Sequence, residues 1–152
     1  MDYLNHAGMK IVVEVETALP RQRVWEAFAD AGTWNHWFPK VECASYSGVT
    51  PYGVGTTRRS LVDGVFYDET MLVWEEPCRW GYRINRTTSA MARAQLEITE
   101  LDITSTGTLV RWIFACDPLH ALNTDGFRQF LATLLKEAIA RLERFYVLDA
   151  NT

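Results

Sequence analysis

From residue 10 to 17 apolar and polar side chains alternate, with Ile11, Val13 and Val15 on one side and Val12, Glu14 and Glu16 on the other. That two-residue period is a β-strand. At Pro20 the period changes. The proline pre-sets a helix that runs to about residue 29, with Val24, Trp25 and Phe28 on its buried stripe, and residues 30–32 end it. A second short helix over residues 33–38 starts at Thr33 as N-cap and stops before Pro39. Six strand-like segments follow, near residues 41–47, 56–62, 65–75, 79–85, 92–101 and 108–116. Turn residues such as Gly53, Gly55, Asp63-Gly64, Glu76-Pro77 and Gly107 separate them. No helix intervenes, so the strands pair as an antiparallel meander. The chain then forms a long amphipathic helix over residues 123–146. Phe127, Phe130, Leu131, Leu134, Leu135, Ala138, Leu142 and Phe145 recur at helical spacing, while Arg128, Lys136, Glu137, Arg141 and Glu143 take the other side. So wide an apolar stripe needs a large surface to cover, which a curved antiparallel sheet supplies. A sheet gripping a helix leaves a pocket between them.

One hairpin can be set in register. Asp63-Gly64 predicts a two-residue type I′ turn, which places Val62 opposite Val65. Counting back, Ser60 faces Tyr67, Arg59 faces Asp68, Arg58 faces Glu69 and Thr56 faces Met71. Two opposite-charge pairs arise on opposite faces of the sheet. Arg58, Ser60, Val62, Val65, Tyr67, Glu69, Met71 and Val73 share one face; Arg59, Leu61, Phe66, Asp68, Leu72 and Trp74 share the other. Periodicity alone leaves open which face is enclosed.

The 152 residues suit one α+β domain spanning 1–152, with residues 1–9 as a loose N-terminal arm. A composition 48% hydrophobic and 22% charged is that of a folded chain and not a disordered one. The net charge of −4 argues against a nucleic-acid partner, which would need a basic surface. Six tryptophans suit a large apolar interior or a pocket for flat, apolar ligands. Cys43, Cys78 and Cys116 lie far apart without metal-ligand spacing and read as buried, reduced thiols of a cytoplasmic protein. There is no basic region followed by an apolar run at the start, and no stretch long enough for stable membrane insertion. No HExxH, CxxC, phosphate loop or dinucleotide fingerprint occurs, so no cofactor or metal is expected.

The order of elements and several strings resemble the START-like or Bet v 1-like (SRPBCC) superfamily, and within it the bacterial polyketide cyclase/dehydrase and lipid-transport group. The strings are ALPRQRVWEAFADAGTWNHWFPKV (18–41), GVGTTRRS (53–60), the strand 69–74 leading into EEPCRWGYRI (75–84), and GTLVRW (107–112). The resemblance covers residues 11–145. It implies a helix-grip fold: a seven-stranded curved antiparallel sheet wrapped around the long C-terminal helix, with two short helices after the first strand. It also implies a deep, mostly apolar cavity roofed by the short helices and loops. Relatives bind lipids, sterols, polyketides, plant hormones or aromatic compounds, and some cyclise or dehydrate polyketide chains. No universal catalytic motif carries over.

The resemblance points Arg58 and Glu69, the pair that the hairpin register makes opposite, into the cavity. An enclosed pair there would anchor a ligand oxygen or move a proton; the alternative is an ordinary surface ion pair. Arg59–Asp68 is expected outside. Trp34, Trp37 and Phe38 form a lid over the cavity or pack the core beneath it. Met71, Tyr67 and Tyr82 belong to the concave wall, the phenols as polar handles, with Trp80 and Ile84 sharing the parity of Tyr82. Trp112 looks inward with Val110 and Phe114. Phe127, Leu131, Leu134 and Ala138 form the opposite wall. His36 beside the lid is expected to be exposed, the alternative being a cavity acid or base; His120, in the loop before the last helix near Asp117 and Asp125, is expected to be solvated, and His6 belongs to the arm.

Three functions compete. The first is binding or carriage of an apolar small molecule, a lipid, polyketide or aromatic compound. The second is a polyketide cyclase or dehydratase, with Arg58, Glu69 and a tyrosine such as Tyr67 assisting enolisation or water loss. The third is a protein-interaction module: with Phe66, Leu72 and Trp74 outside, that face would offer an apolar patch suited to a homodimer. Binding needs the fewest dedicated residues.

Overall fold

A computed structural model of the chain describes residues 7–87, 92–118 and 123–150. Strand β1 (Met9–Thr17) is followed by helix α1 (Arg21–Ala29), a 3-10 turn (Ala31–Thr33) and the short helix α2 (Trp34–Trp37). Strands β2 (Val41–Ser47), β3 (Thr57–Val62), β4 (Val65–Glu75), β5 (Arg79–Thr87), β6 (Ala92–Ile103) and β7 (Thr108–Pro118) come next. The long helix α3 (Thr124–Ala150) ends the chain. The strands form one seven-stranded sheet in the order β1-β7-β6-β5-β4-β3-β2, every neighbouring pair antiparallel. This is the expected α+β helix grip, with α3 packed against β1 and α2.

Local chemistry explains the joints. Pro20 stands at the N-cap of α1 in an extended conformation. Asp30 breaks that helix, and its Oδ1 accepts from the Gly32 N–H at 3.0 Å to start the 3-10 turn. Thr33, expected to cap α2, makes no capping hydrogen bond; its hydroxyl donates to the Asp30 carbonyl instead. At the β3–β4 turn Asp63 and Gly64 both hold positive φ, 50° and 77°, as a type I′ turn requires. The register of that hairpin is as counted, from Val62↔Val65 to Arg58↔Glu69. Met9 belongs to β1 and is 7% exposed, so the strand starts inside the segment expected to be an arm. Residues 1–6, with His6, and residues 119–122, with His120, lie outside the described residues.

The main core lies between the concave face and the helices, where Ile11, Val24, Trp37, Leu135, Ile139 and Leu142 are essentially sealed from solvent. Each such side chain contributes about 1.5–3 kcal/mol by burial. A second, smaller cluster of Val73, Leu96, Ile98, Ile113 and Ala115 sits on the convex face.

Val73 and Trp74 correct the face assignment. Register shifts between Met71↔Tyr82 and Val73↔Gly81, so β4 carries a bulge at Leu72. A bulge inserts one residue and inverts the parity beyond it. Val73 therefore joins the convex cluster, while Trp74 turns inward against Trp25, with ring centroids 5.9 Å apart, and Tyr46. The apolar patch expected for a homodimer shrinks accordingly: Phe66 remains 45% exposed with Arg59 over its ring, and Leu72 is half-buried. Gly81 lies opposite the bulge. A Cβ there would stand 2.8 Å from the Glu97 carbonyl oxygen, so β5 and β6 approach closely only because this position is bare.

Candidate functional site

Between the concave face and α3 lies a cavity of about 520 Å³. Phe127, Phe130, Leu131, Leu134 and Leu135 give it an apolar helical wall, and Phe28, Trp34, Phe38 and Pro39 roof it. Lys40 and Asp63, paired at 3.7 Å, stand exposed at the rim. The sheet floor differs in kind. Arg58, Ser60, Tyr67, Glu69, Tyr82, Gln95, Glu97 and Thr99 form a polar band across four adjacent strands, β3 to β6.

At the β3–β4 end, Arg58 Nε donates to Glu69 Oε2 at 2.6 Å and Ser60 Oγ donates to Glu69 Oε1 at 2.8 Å. Both charged side chains are 2% exposed. The Arg58 guanidinium carbon lies 4.7 Å from the Trp34 ring centroid, 4.9 Å from Trp80 and 4.8 Å from Tyr82. This three-ring enclosure adds cation–π attraction to the ion pair. Among the described residues Arg58 Nη1 has no hydrogen-bond partner. Burial opposes the guanidinium's charge, but Glu69 outweighs it and holds the pKa above its ordinary value. Burial likewise pushes Glu69 up, against the pull of Arg58 and the Ser60 hydroxyl.

At the β5–β6 end, the Tyr82 hydroxyl donates to Glu97 Oε2. Glu97 is opposite Tyr82 on one side and Phe114 on the other. Burial raises its pKa to about 7; hydrogen bonds from Tyr82 and Gln95 pull it down, and Glu69 pushes it up. Tyr82 itself is held well above its ordinary value by burial and by Glu97 and Glu69. Burial and the same two carboxyls raise Tyr67. Cys116, on the adjacent wall, is pushed up to about 11 by burial, Asp117 and Glu97, and is a neutral thiol.

Of the residues expected to form the site, Phe38, Arg58, Tyr67, Glu69, Trp80, Tyr82, Trp112, Phe127, Leu131 and Leu134 all line this cavity. Trp37 and Met71 do not: both are fully buried in the core, Trp37 beneath Phe28, Trp34 and Phe38, and Met71 beside the bulge. Ala138 is also core. His36 is exposed and stacks on Phe145. Arg59–Asp68 lies outside. Of the three cysteines, which are unpaired, only Cys116 is buried; Cys43 is exposed and Cys78 half-buried. Sequence reasoning missed Ser60, Gln95, Glu97 and Thr99 as cavity residues. Setting the β6–β7 hairpin in register from its Gly107 turn would have found the last three, since it pairs Thr99 with Trp112, Glu97 with Phe114 and Gln95 with Cys116. Among the described residues no three His, Cys, Asp or Glu side chains are grouped to hold a metal ion, and no helix is long and apolar enough to cross a membrane.

Comparison with known proteins agrees with this architecture. The family model described as "Polyketide cyclase / dehydrase and lipid transport" matches residues 9–145. Uncharacterised proteins of Mycobacterium bovis and Mycobacterium tuberculosis are 26% identical over 102 residues, 66% of this chain. The match spans 61% of the length of those curated relatives. Among solved structures, a major latex-like protein of Panax ginseng superposes with a TM-score of 0.72 at 13% identity, covering 87% of this chain and 95% of that one. A START superfamily protein of Mycobacterium smegmatis gives 0.72 at 13% identity, covering 90% and 95%. A Rhizobium leguminosarum protein gives 0.71 at 20% identity, covering 90% and 95%. At these identities the likeness shows the fold alone.

Proposed function

Because the chain belongs to the polyketide cyclase/dehydrase and lipid transport family, whose fold generally binds apolar ligands, we propose that it binds or carries an apolar small molecule of lipid, polyketide or aromatic type. The observation that carries this reading is the cavity of about 520 Å³ with its wall of Phe and Leu side chains from α3. That volume lies in the range of small-molecule sites, roughly 300–1,000 Å³. Phe38, Trp80, Trp112, Phe127, Leu131 and Leu134 supply its apolar contacts, and the polar band orients the ligand. Arg58 and Glu69 pair through Nε and Oε2 in this band and hold its geometry, with Tyr67 beside them. The unpaired cysteines support a cytoplasmic location.

A second reading is favoured by one feature. Two enclosed carboxyls, Glu69 and Glu97, beside tyrosines in an apolar cavity suit enolisation or water loss on a polyketide chain. Binding requires less and stands first.

Native mass spectrometry of freshly purified protein, with organic extraction of what is bound, tests the proposal. A defined apolar molecule at near-stoichiometric occupancy is expected. Leu134→Trp, which fills the cavity from α3, should release it while the fold persists by circular dichroism. Equal occupancy in that variant would place the ligand elsewhere and defeat the reading.

A further inference from the structure

The polar band has two ends, and they differ in what they can offer a ligand. At the β3–β4 end every Glu69 oxygen already has a donor, and three rings cover the Arg58 guanidinium. At the β5–β6 end Glu97 takes the Tyr82 hydroxyl on Oε2 and a hydrogen bond from Gln95, both neutral groups, and the carboxyl faces the cavity without a cation of its own. Arg58 gives its Nε to Glu69, and its Nη1, without a hydrogen-bond partner among the described residues, is sealed from solvent. With Glu97 ionised, the band would hold two carboxylates against one guanidinium. A net charge enclosed among Phe114, Phe127 and Leu131 is costly, and a proton on Glu97 removes it. With Glu97 Oε2 taking the Tyr82 hydroxyl, the proton of a neutral Glu97 is the donor this pair presents to a ligand oxygen.

We infer that Glu97 and Tyr82 form the ligand-head site of the cavity, and that the head they take is a neutral oxygen acceptor, a ketone or related carbonyl, held by the protonated carboxyl. This rests on the reading of the cavity as a ligand site and adds the head-group class and a proton linkage. The groups that bear on Glu97 are Tyr82 on β5, Tyr67 and Glu69 on β4, Arg58 on β3 and Cys116 on β7. Among the described residues the α3 wall adds no titratable side chain to the cavity. Of these groups, the tyrosines and the thiol are raised and stay neutral, and Arg58 stays charged. Glu97, its pKa raised to about 7 by burial, changes state near neutral pH.

Three probes with one aromatic body test the head group: 2-acetylnaphthalene, 2-ethylnaphthalene and 1-(2-naphthyl)ethylamine, titrated against tryptophan fluorescence at pH 6 and pH 8. The ketone should bind about five- to tenfold tighter than the ethyl compound at pH 6, the worth of one buried hydrogen bond. At pH 8 the preference should shrink toward parity, as the neutral fraction of Glu97 falls about tenfold. Glu97→Gln, whose amide keeps a donor, should preserve the ketone preference at both pH values. Glu97→Leu should abolish it at both. A tighter grip on the ammonium probe that grows with pH would overturn the inference, making the site a cation site. So would equal binding of all three probes, or a ketone preference that survives in Glu97→Leu; in those outcomes the cavity reading stands. If none of the three binds, the cavity reading falls and the inference with it.

Discussion

Arg58–Glu69 and Arg59–Asp68 are neighbours in sequence, formed by the same hairpin one register step apart, and they have opposite fates. The first pair is 2% exposed on both sides and enclosed by three aromatic rings. The second, with its bonds of 2.7 and 3.2 Å, is 61% and 31% exposed on the convex face. Its geometry is equally good. What separates them is dielectric surroundings. In water the attraction is weak and the partners are replaceable; enclosed, each charge depends on the other. The polar floor thus depends on mutual neutralisation, and Glu97, without a cation of its own, marks where that neutralisation is incomplete.

The largest test breaks the two pairs separately. Arg58→Met should destabilise by about 3–5 kcal/mol, because Glu69 is left buried with only Ser60 as donor. Arg59→Met should cost under about 1 kcal/mol. Urea unfolding measures both, and similar losses would erase the contrast. The double variant Arg58→Met/Glu69→Leu sharpens it further. With both charges gone, stability should recover most of the single-variant loss, since an apolar replacement of a buried pair is often neutral.

Glu97 sets the next scale. A carboxyl whose folded pKa lies above its unfolded value binds the extra proton in the folded state. Its contribution to stability therefore falls as pH rises from about 4.5 to about 7, and levels off above that window. Full ionisation costs on the order of 3 kcal/mol, taken from the shift between the ordinary value of 4.5 and about 7. Glu97→Gln escapes that cost. It should be more stable than the parent at pH 8 by about 1–3 kcal/mol, an advantage that vanishes near pH 5. Parallel unfolding midpoints of the two proteins across pH 5–8 would show that Glu97 does not titrate in this window.

Much of this was legible in the chain. Asp63-Gly64 demands positive φ at both residues, so it fixed the β3–β4 register and the pairing of both arginines. The α3 stripe announced the grip, although Ile139 was not counted among its buried residues. Two things were hidden. The bulge at Leu72 has no sequence mark, since Met71, Leu72, Val73 and Trp74 are all apolar and fit either face; only the opposing Gly81 hints at irregular packing. Glu97 was hidden by a rule that fails at cavities. Along β6, Leu96 and Ile98 alternate with Gln95, Glu97 and Thr99, which reads as apolar inside and polar outside. Here the order is reversed, because the convex face has its own apolar cluster and the concave face borders a cavity that accommodates polar groups.

The smallest effect belongs to the outer pair, and its salt dependence separates it from the inner one. Asp68→Asn removes one charge while keeping a side chain of the same shape opposite Arg59. The expected loss is about 0.2–1 kcal/mol at low ionic strength. In 1 M salt the Debye length shrinks to about 3 Å, and the difference from the parent protein should disappear. Glu69→Gln, made beside it, should keep its penalty in the same salt, because mobile ions do not reach between Trp34, Trp80 and Tyr82 to screen Arg58. Unfolding midpoints of the two variants at low and high salt make the comparison. If salt relieves both penalties equally, the inner pair is reached by solvent and the ring enclosure does not set its strength.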